Sequence, residues 1–232
     1  FLFGQRSLTK KRPKVSFLDI SCLKKGLEEL HLEATEEQID KIDRFAEMLF
    51  KWNKTYNLTA IRSKDDVLTH HILDSLAVVP LFKRQLKNGV KILDVGSGGG
   101  LPAIPLAIMC PEYDVSMVDT VGKKSAFLTQ CCVSLRLNNA RAIHARVESL
   151  KGKQFDIITS RAFASLKLFS DLTKHLFADG GYWLALKGPG VSTEVLELGE
   201  DVVVQDVYEV AVPFLGEKRC LVKMKLKNID TL

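Results

Sequence analysis

No stretch of the 232-residue sequence approaches the roughly 18 consecutive apolar residues of a membrane-spanning helix, so a soluble protein without a membrane partner is expected. The five cysteines, Cys22, Cys110, Cys131, Cys132 and Cys220, form no C-x-x-C pair. An odd count without that spacing argues against a disulfide framework and a zinc site, and adjacent Cys131 and Cys132 on one helix cannot easily face one ion. Buried reduced thiols, no metal and a cytoplasmic location are therefore expected. The opening FLFGQRSLTKKRPK lacks the ordered charge, apolar core and cleavage site of a secretion signal, and its Lys10, Lys11, Arg12 and Lys14 read as a solvated arm. Neither sign of charge dominates: 33 Lys and Arg oppose 28 Asp and Glu, a net +5 that suits a polyanionic partner without demanding one. There is no internal repeat or low-complexity linker, and 46% hydrophobic residues can bury a full core with a small appendage.

What the chain does have is KILDVGSGGGLPAIPLAI, Lys91 to Ile108. Lys91 to Val95 is a buried-strand run, Gly96, Gly98, Gly99 and Gly100 make a tight turn, and Pro102 suits the first turn of a following helix. The loop is expected to present unpaired N–H groups at a helix N-terminus. A dinucleotide fingerprint needs a third glycine after two further residues, and position 101 is Leu. The pattern is an acid, Asp94, two residues before G-x-G-x-G. About 20 residues on, after the apolar run Val115 to Val118, Asp119 is placed to accept hydrogen bonds from two ribose hydroxyls.

Before this stretch, the spacing predicts a short helix from Cys22 to about His31. A Thr35-to-Gln38 capping box then starts an amphipathic helix with Ile39, Ile42, Ala46, Leu49 and Phe50 on one face, lasting to about Lys54. A helix from Ser63 carries His70, His71 and Asp74 and ends near Pro80; the two histidines could serve as a base or as ligands, but neighbours on a helix point different ways and no cysteine pair supports a metal. Trp52 and Tyr56 could stack on bases, with Lys51, Lys54, Arg62 and Lys64 near phosphates, or could close a helix junction. After the glycine loop, strands and helices alternate: a helix Gly122 to Leu137, strands Ala140 to Ala145 and Phe155 to Thr159, a helix Leu166 to Phe177, a strand Gly181 to Leu186, and a final hairpin of Val202 to Val212 with Arg219 to Lys225.

The order strand, D-x-G-x-G, helix, strand, Asp resembles class I S-adenosylmethionine-dependent methyltransferases. More narrowly, KWNKTYNLTAIR, HILDS, ILDVGSGGGLPAIPLAI, ARVES, SRAFASL and LALKG, in this order from about Lys51 to Gly188, resemble the bacterial small-subunit ribosomal RNA methyltransferase G family. The resemblance implies an α/β, Rossmann-like fold: a mostly parallel seven-stranded sheet with an antiparallel C-terminal hairpin and a small N-terminal helical extension. It divides the chain into a flexible tail over 1–20, a helical segment over 21–85 packed on the main domain, and a methyltransferase domain over 86–232. The implied activity is methyl transfer from S-adenosylmethionine to N7 of one guanine in a decoding-region loop of 16S rRNA, free or in a small-subunit particle, by a monomer. Implied cofactor contacts are Gly96, Gly98, Leu101, Asp119, Val147, Glu148 and Arg161. Gly99 and Ala103 stand where relatives often have Pro and Gly.

Guanine N7 carries an exposed lone pair and no proton, so the reaction needs positioning rather than a general base. No catalytic residue is therefore assigned, with Arg161 as the candidate; its alternative is a structural ion pair with Asp94 or Asp119. Ser160-Arg161-Ala162-Phe163 replaces the N/D-P-P-Y type motif of exocyclic-amine methylation, and no cysteine nucleophile lies nearby. Phe163 could stack on a flipped guanine or serve the core. Lys123, Lys124, Arg146 and Lys187 are the expected RNA contacts. Three other readings stay open on the residues alone: a methyltransferase for a protein or small molecule, a nucleotide-binding oxidoreductase, and a non-catalytic RNA-binding module.

Overall fold

The structure is a computed structural model and describes residues 15–61 and 63–227. The strands are β1 (Lys91–Val95), β2 (Asp114–Asp119), β3 (Ala140–His144), β4 (Phe155–Arg161), β5 (Phe177–Lys187), β6 (Val202–Val210) and β7 (Arg219–Leu226). They form one sheet in the order β3-β2-β1-β4-β5-β7-β6. Pairs from β3 to β5 are parallel, and β7 runs antiparallel to both β5 and β6. The chain moves outward from β1 to β3, then returns to start β4 on the other side of β1. That reversal opens a crevice at the carboxyl ends of β1 and β4, where ligands of such sheets bind. The central strands are apolar on both faces: Ile92, Leu93, Ile157, Ile158 and Leu184 are all buried, as strands covered by helices on either side require.

Helix α1 (Ile20–Glu29) is capped by Asp19, which accepts from the Ser21 and Cys22 N–H groups. Helix α2 (Glu36–Tyr56) starts in the expected capping box, with Thr35 and Gln38 each bonding the other's main chain. Its apolar stripe lies on the main domain: Phe45 and Trp52 meet Phe127 at ring distances of 6.5 and 5.4 Å, Gln38 donates to the Ile108 carbonyl and Arg44 to that of Ser134. Of the segment 1–20, residues 15–20 are described, and the Phe17 and Leu18 N–H groups donate to buried Asp43. Lys10, Lys11, Arg12 and Lys14 lie outside the described residues.

The next helical run differs from expectation. It opens as α3 (Lys64–Asp66), widens to a π-helical turn over Val67–Leu73 and closes as α4 (Asp74–Leu76); Pro80 then sits in the first turn of α5 (Val79–Gln85) instead of ending the earlier helix. A proline is tolerated there because the N–H it lacks would have no partner. Beyond β1 come α6 (Ala103–Met109), α7 (Gly122–Ser134), α8 (Leu166–Thr173) and α9 (Val191–Leu196), the last without a counterpart in the sequence reading. Helix α8 stops four residues short of Phe177. There Phe177 joins β5 and packs edge-on against buried Trp183 at 4.5 Å, while the Trp183 indole donates to Thr173.

Candidate functional site

The glycine turn after β1 is built on positive φ at Gly96 (67°), Gly98 (53°) and Gly100 (78°). Four of its N–H groups are already engaged within the fold. Those of Gly96 and Ser97 donate to the Val118 carbonyl (2.9 and 3.2 Å), that of Gly98 to Asp119 Oδ2 (2.9 Å) and that of Gly100 to the Ser97 carbonyl (2.7 Å). The end of β2 thus satisfies three of these donors, as buried backbone donors require, and fewer of the turn's N–H groups are open to a ligand than expected. A Cβ on Gly96 would collide with the Phe163 ring, whereas one on Gly98 would find nothing nearer than the Gly96 carbonyl oxygen at 3.7 Å. At Gly98 the constraint is its φ, which a β-branched residue cannot adopt without strain.

Asp119 is buried, and its other oxygen accepts from the Val121 N–H at 2.8 Å. Each carboxylate oxygen keeps a second lone pair, so hydroxyl donors can still be accepted. One cavity of about 410 Å³ lies beside it, walled by Val118, Asp119, Val147, Glu148 and Phe163. A second, of about 550 Å³, lies across the loop and is walled by Leu101, Thr59, His71, Asp74, Arg161 and Arg219, among others. Gly96, Lys124 and Ala162 border both. Of the sequence-derived contacts, Gly96, Asp119, Val147 and Glu148 meet in the first cavity, and Gly96, Gly98, Leu101 and Arg161 in the second.

Arg161 is ion-paired, but with neither acid foreseen: its Nη1 donates to Asp74 Oδ2 at 2.7 Å and to the His70 carbonyl at 3.2 Å. Asp74 Oδ1 accepts from Arg219 Nε at 2.9 Å. His71 is buried beside them, with Nε2 2.5 Å from the Thr59 hydroxyl and Nδ1 2.9 Å from the His70 carbonyl. Burial, and then the Arg161 charge, press its pKa down to about 4, so it is neutral at physiological pH. Asp74, Arg219 and Thr59 were not singled out in the sequence as site residues, whereas His71 was weighed with His70 as a base or ligand; the trace the others leave is a polar residue, Asp74, on an apolar helical face.

Asp94, the acid before the glycines, is fully buried, and among the described residues no donor reaches either carboxylate oxygen. The Ser97 hydroxyl turns instead to the Asp94 main-chain carbonyl at 2.9 Å. Burial raises this carboxyl to about 7.

The basic residues differ in how far their charge is engaged. Lys187 is largely buried, its ammonium bonded to Glu194 (2.7 Å) and the Ala164 carbonyl (2.6 Å), and exposed Arg146 pairs loosely with Glu148 at 3.3 Å. Exposed Lys123 lies over the Tyr56 ring, and Tyr56 in turn meets Trp52 at 5.2 Å, so these aromatics join α2 to α7. Lys51 pairs with Glu47, Lys54 and Lys64 lie over Phe50 and Phe17, and Arg62 is outside the described residues. Phe163 meets Phe169 edge-on at 6.3 Å while still lining the first cavity. The five cysteines are free thiols, and burial raises Cys110 to about 12. No cluster of potential metal ligands occurs among the described residues, and none of their helices is long and apolar enough to cross a membrane.

A family model described as rRNA small subunit methyltransferase G matches residues 38–222. Proteins named ribosomal RNA small subunit methyltransferase G from Acidovorax sp. (strain JS42) and Paracidovorax citrulli are 45% and 47% identical to the chain. The matches cover 88% of this chain and 94% and 88% of those proteins. Among solved structures, coclaurine N-methyltransferase bound to N-methylheliamine and SAH superposes with a TM-score of 0.52 at 14% identity, over 82% of this chain and 72% of that one, a likeness of fold alone.

Proposed function

The chain belongs to the rRNA small subunit methyltransferase G family, and from that premise we propose that its two joined cavities serve methyl transfer from S-adenosylmethionine to N7 of one guanine in a decoding-region loop of 16S rRNA. The observation that carries this reading is the pair of cavities meeting at Gly96 and Ala162, one beside Asp119 and Val147, the other lined by cationic side chains.

The residues fit the cofactor. Val147 offers an apolar face to an adenine, Glu148 and its neighbouring main chain an acceptor for the exocyclic amine, and Asp119 two acceptor oxygens for ribose hydroxyls. The orphan carboxylate of Asp94 calls for a cationic or N–H partner, and the ammonium of a methionine moiety is one. Arg161 suits the carboxylate of that moiety. When bound, the cofactor supplies an electrophilic methyl group on a sulfonium.

The chain's own part is to hold the acceptor in line and to exclude water. Guanine N7 has no proton to lose, and the side chains on the acceptor side agree with a reaction without a base: His71 is neutral with both nitrogens engaged, and Arg161 and Arg219 are permanent cations. Lys123, Lys124 and Arg146 suit the RNA backbone, whereas Lys187 would first have to release Glu194. Acting on rRNA, the protein would work in the cytoplasm, as a monomer. Tritiated S-adenosylmethionine offered with small ribosomal subunits, naked 16S rRNA and ribosomal protein tests the reading. Label in the RNA is expected, and label in protein alone would refute it.

A further inference from the structure

Four elements send polar side chains to one wall of the larger cavity: His71 from the π-helical turn, Asp74 from α4, Arg161 from β4 and Arg219 from β7. Asp74 is their centre. Its side chain is 5% exposed against 20% and 24% for Arg161 and Arg219, so the arginines present more of their surface at this wall than the carboxylate they hold between them. Strands β4 and β7 are not neighbours, since β5 lies between them in the sheet. One carboxylate therefore bridges cations that the sheet by itself keeps apart. It reaches them because of the π-helical turn, where the Asp74 N–H bonds back five residues to the Thr69 carbonyl and the wider turn re-aims the residue that follows it. A guanidinium has five N–H donors; Asp74 takes one from each arginine, the His70 carbonyl another from Arg161, and Glu217 and the Lys218 carbonyl others from Arg219, which still leaves donors for oxygen atoms of bound ligands.

We propose that Asp74 is a positioning residue for methyl transfer: it touches neither cofactor nor acceptor, but aligns Arg161 and Arg219 along the cavity wall and acts through them. This deepens the methyl-transfer reading and rests on it. Its loss would remove the contact the two guanidinium groups share and leave Arg161 to the His70 carbonyl and Arg219 to Glu217 at 2.8 Å, which no longer tie one to the other; a misplacement of about 1 Å can cost roughly 100-fold in rate.

The test measures kcat/KM for labelled methyl transfer to small subunits by the full-length protein as wild type, Asp74→Asn, Arg161→Met with Arg219→Met, and the triple variant. Asp74→Asn keeps the shape but presents an N–H group to one arginine, and a fall of about 100-fold is expected. The triple variant is expected to match the double within about threefold, because the residue has nothing left to position. A further loss in the triple as large as that of Asp74→Asn alone would show Asp74 acting by another route and overturn the proposal, as would an Asp74→Asn rate within about threefold of wild type. Should Asp74→Asn not fold, Asp74→Glu replaces it. It keeps the charge on an arm one methylene longer, so a loss of at least about tenfold is expected and retained activity overturns the proposal. Absence of transfer by the wild type would overturn the reading beneath it, a result distinct from all the others.

Discussion

Asp94→Asn separates the demands of folding from those of the site. In the free protein the Asp94 carboxyl is raised to about 7, against 3.8 ordinarily, because burial opposes its charge. A raised acid binds its proton more tightly folded than unfolded. The folded state is therefore favoured below the unfolded pKa, and that advantage is lost progressively as pH rises from about 4 to about 7. Above pH 7 the group ionises in a site with no donor, at a cost of up to about 4 kcal/mol, three pKa units at 1.36 kcal/mol each. Asparagine has nearly the same shape and no charge. In the absence of cofactor, Asp94→Asn should thus be modestly more stable than wild type at pH 5, where about a third of the effect is present, and more so at pH 8, by a melting-temperature rise of up to roughly 8 to 16 °C for a chain of this size. Cofactor binding should move the opposite way: a ligand ammonium against the carboxylate lowers its pKa, so wild type releases part of a proton on binding at pH 7 and the variant none. Scanning fluorimetry at both pH values and calorimetry in two buffers of different ionisation enthalpy read both effects. Equal melting shifts at pH 5 and pH 8, or identical proton release by the two proteins, would refute the reasoning.

Gly98→Val forces a β-branched residue to φ near 53°, a strain of about 1 to 3 kcal/mol. Cofactor affinity should fall below detection in a protein that still folds, and an unchanged calorimetric Kd would count against the loop. Lys123→Glu removes an exposed cation at the junction of α2 and α7 while leaving both cavity walls intact; rRNA affinity should drop with a salt slope shallower by about one, at unchanged cofactor Kd. Equal slopes would argue against this RNA contact. Phe45→Ala, at the buried contact of α2 with α7, should cost about 3 to 5 kcal/mol in a single urea transition. Two separate transitions would mean that the N-terminal helices fold apart from the sheet.

Where periodicity and local chemistry fix the backbone, the sequence was readable. Lys91 to Val95 is apolar but for Lys91 and Asp94, and it forms β1 over those residues; Thr35 and Gln38 cap α2 as their spacing requires. The alternation after Val202 delivers the antiparallel pair at the sheet edge. Long-range pairing was less legible. Asp74 meets Arg161 and Arg219 across 87 and 145 positions, a match that no local pattern encodes. The π-helical turn was hidden because its residues, VLTHHIL, satisfy a helical apolar pattern at either pitch. The state of the glycine loop was legible only in part for a related reason: the N–H groups of Gly96, Ser97 and Gly98 find acceptors on β2, and only the folded sheet brings Val118 and Asp119 beneath them.

The most direct test of guanine N7 methylation is strand scission. Borohydride and aniline cut RNA at N7-methylguanosine, so 16S rRNA is mapped after incubation with and without the protein and S-adenosylmethionine. One break at a single guanine of the decoding-region loop, dependent on both, is the predicted result. Methyl label incorporated into the RNA with no such break would place the methyl group on another atom and contradict the account.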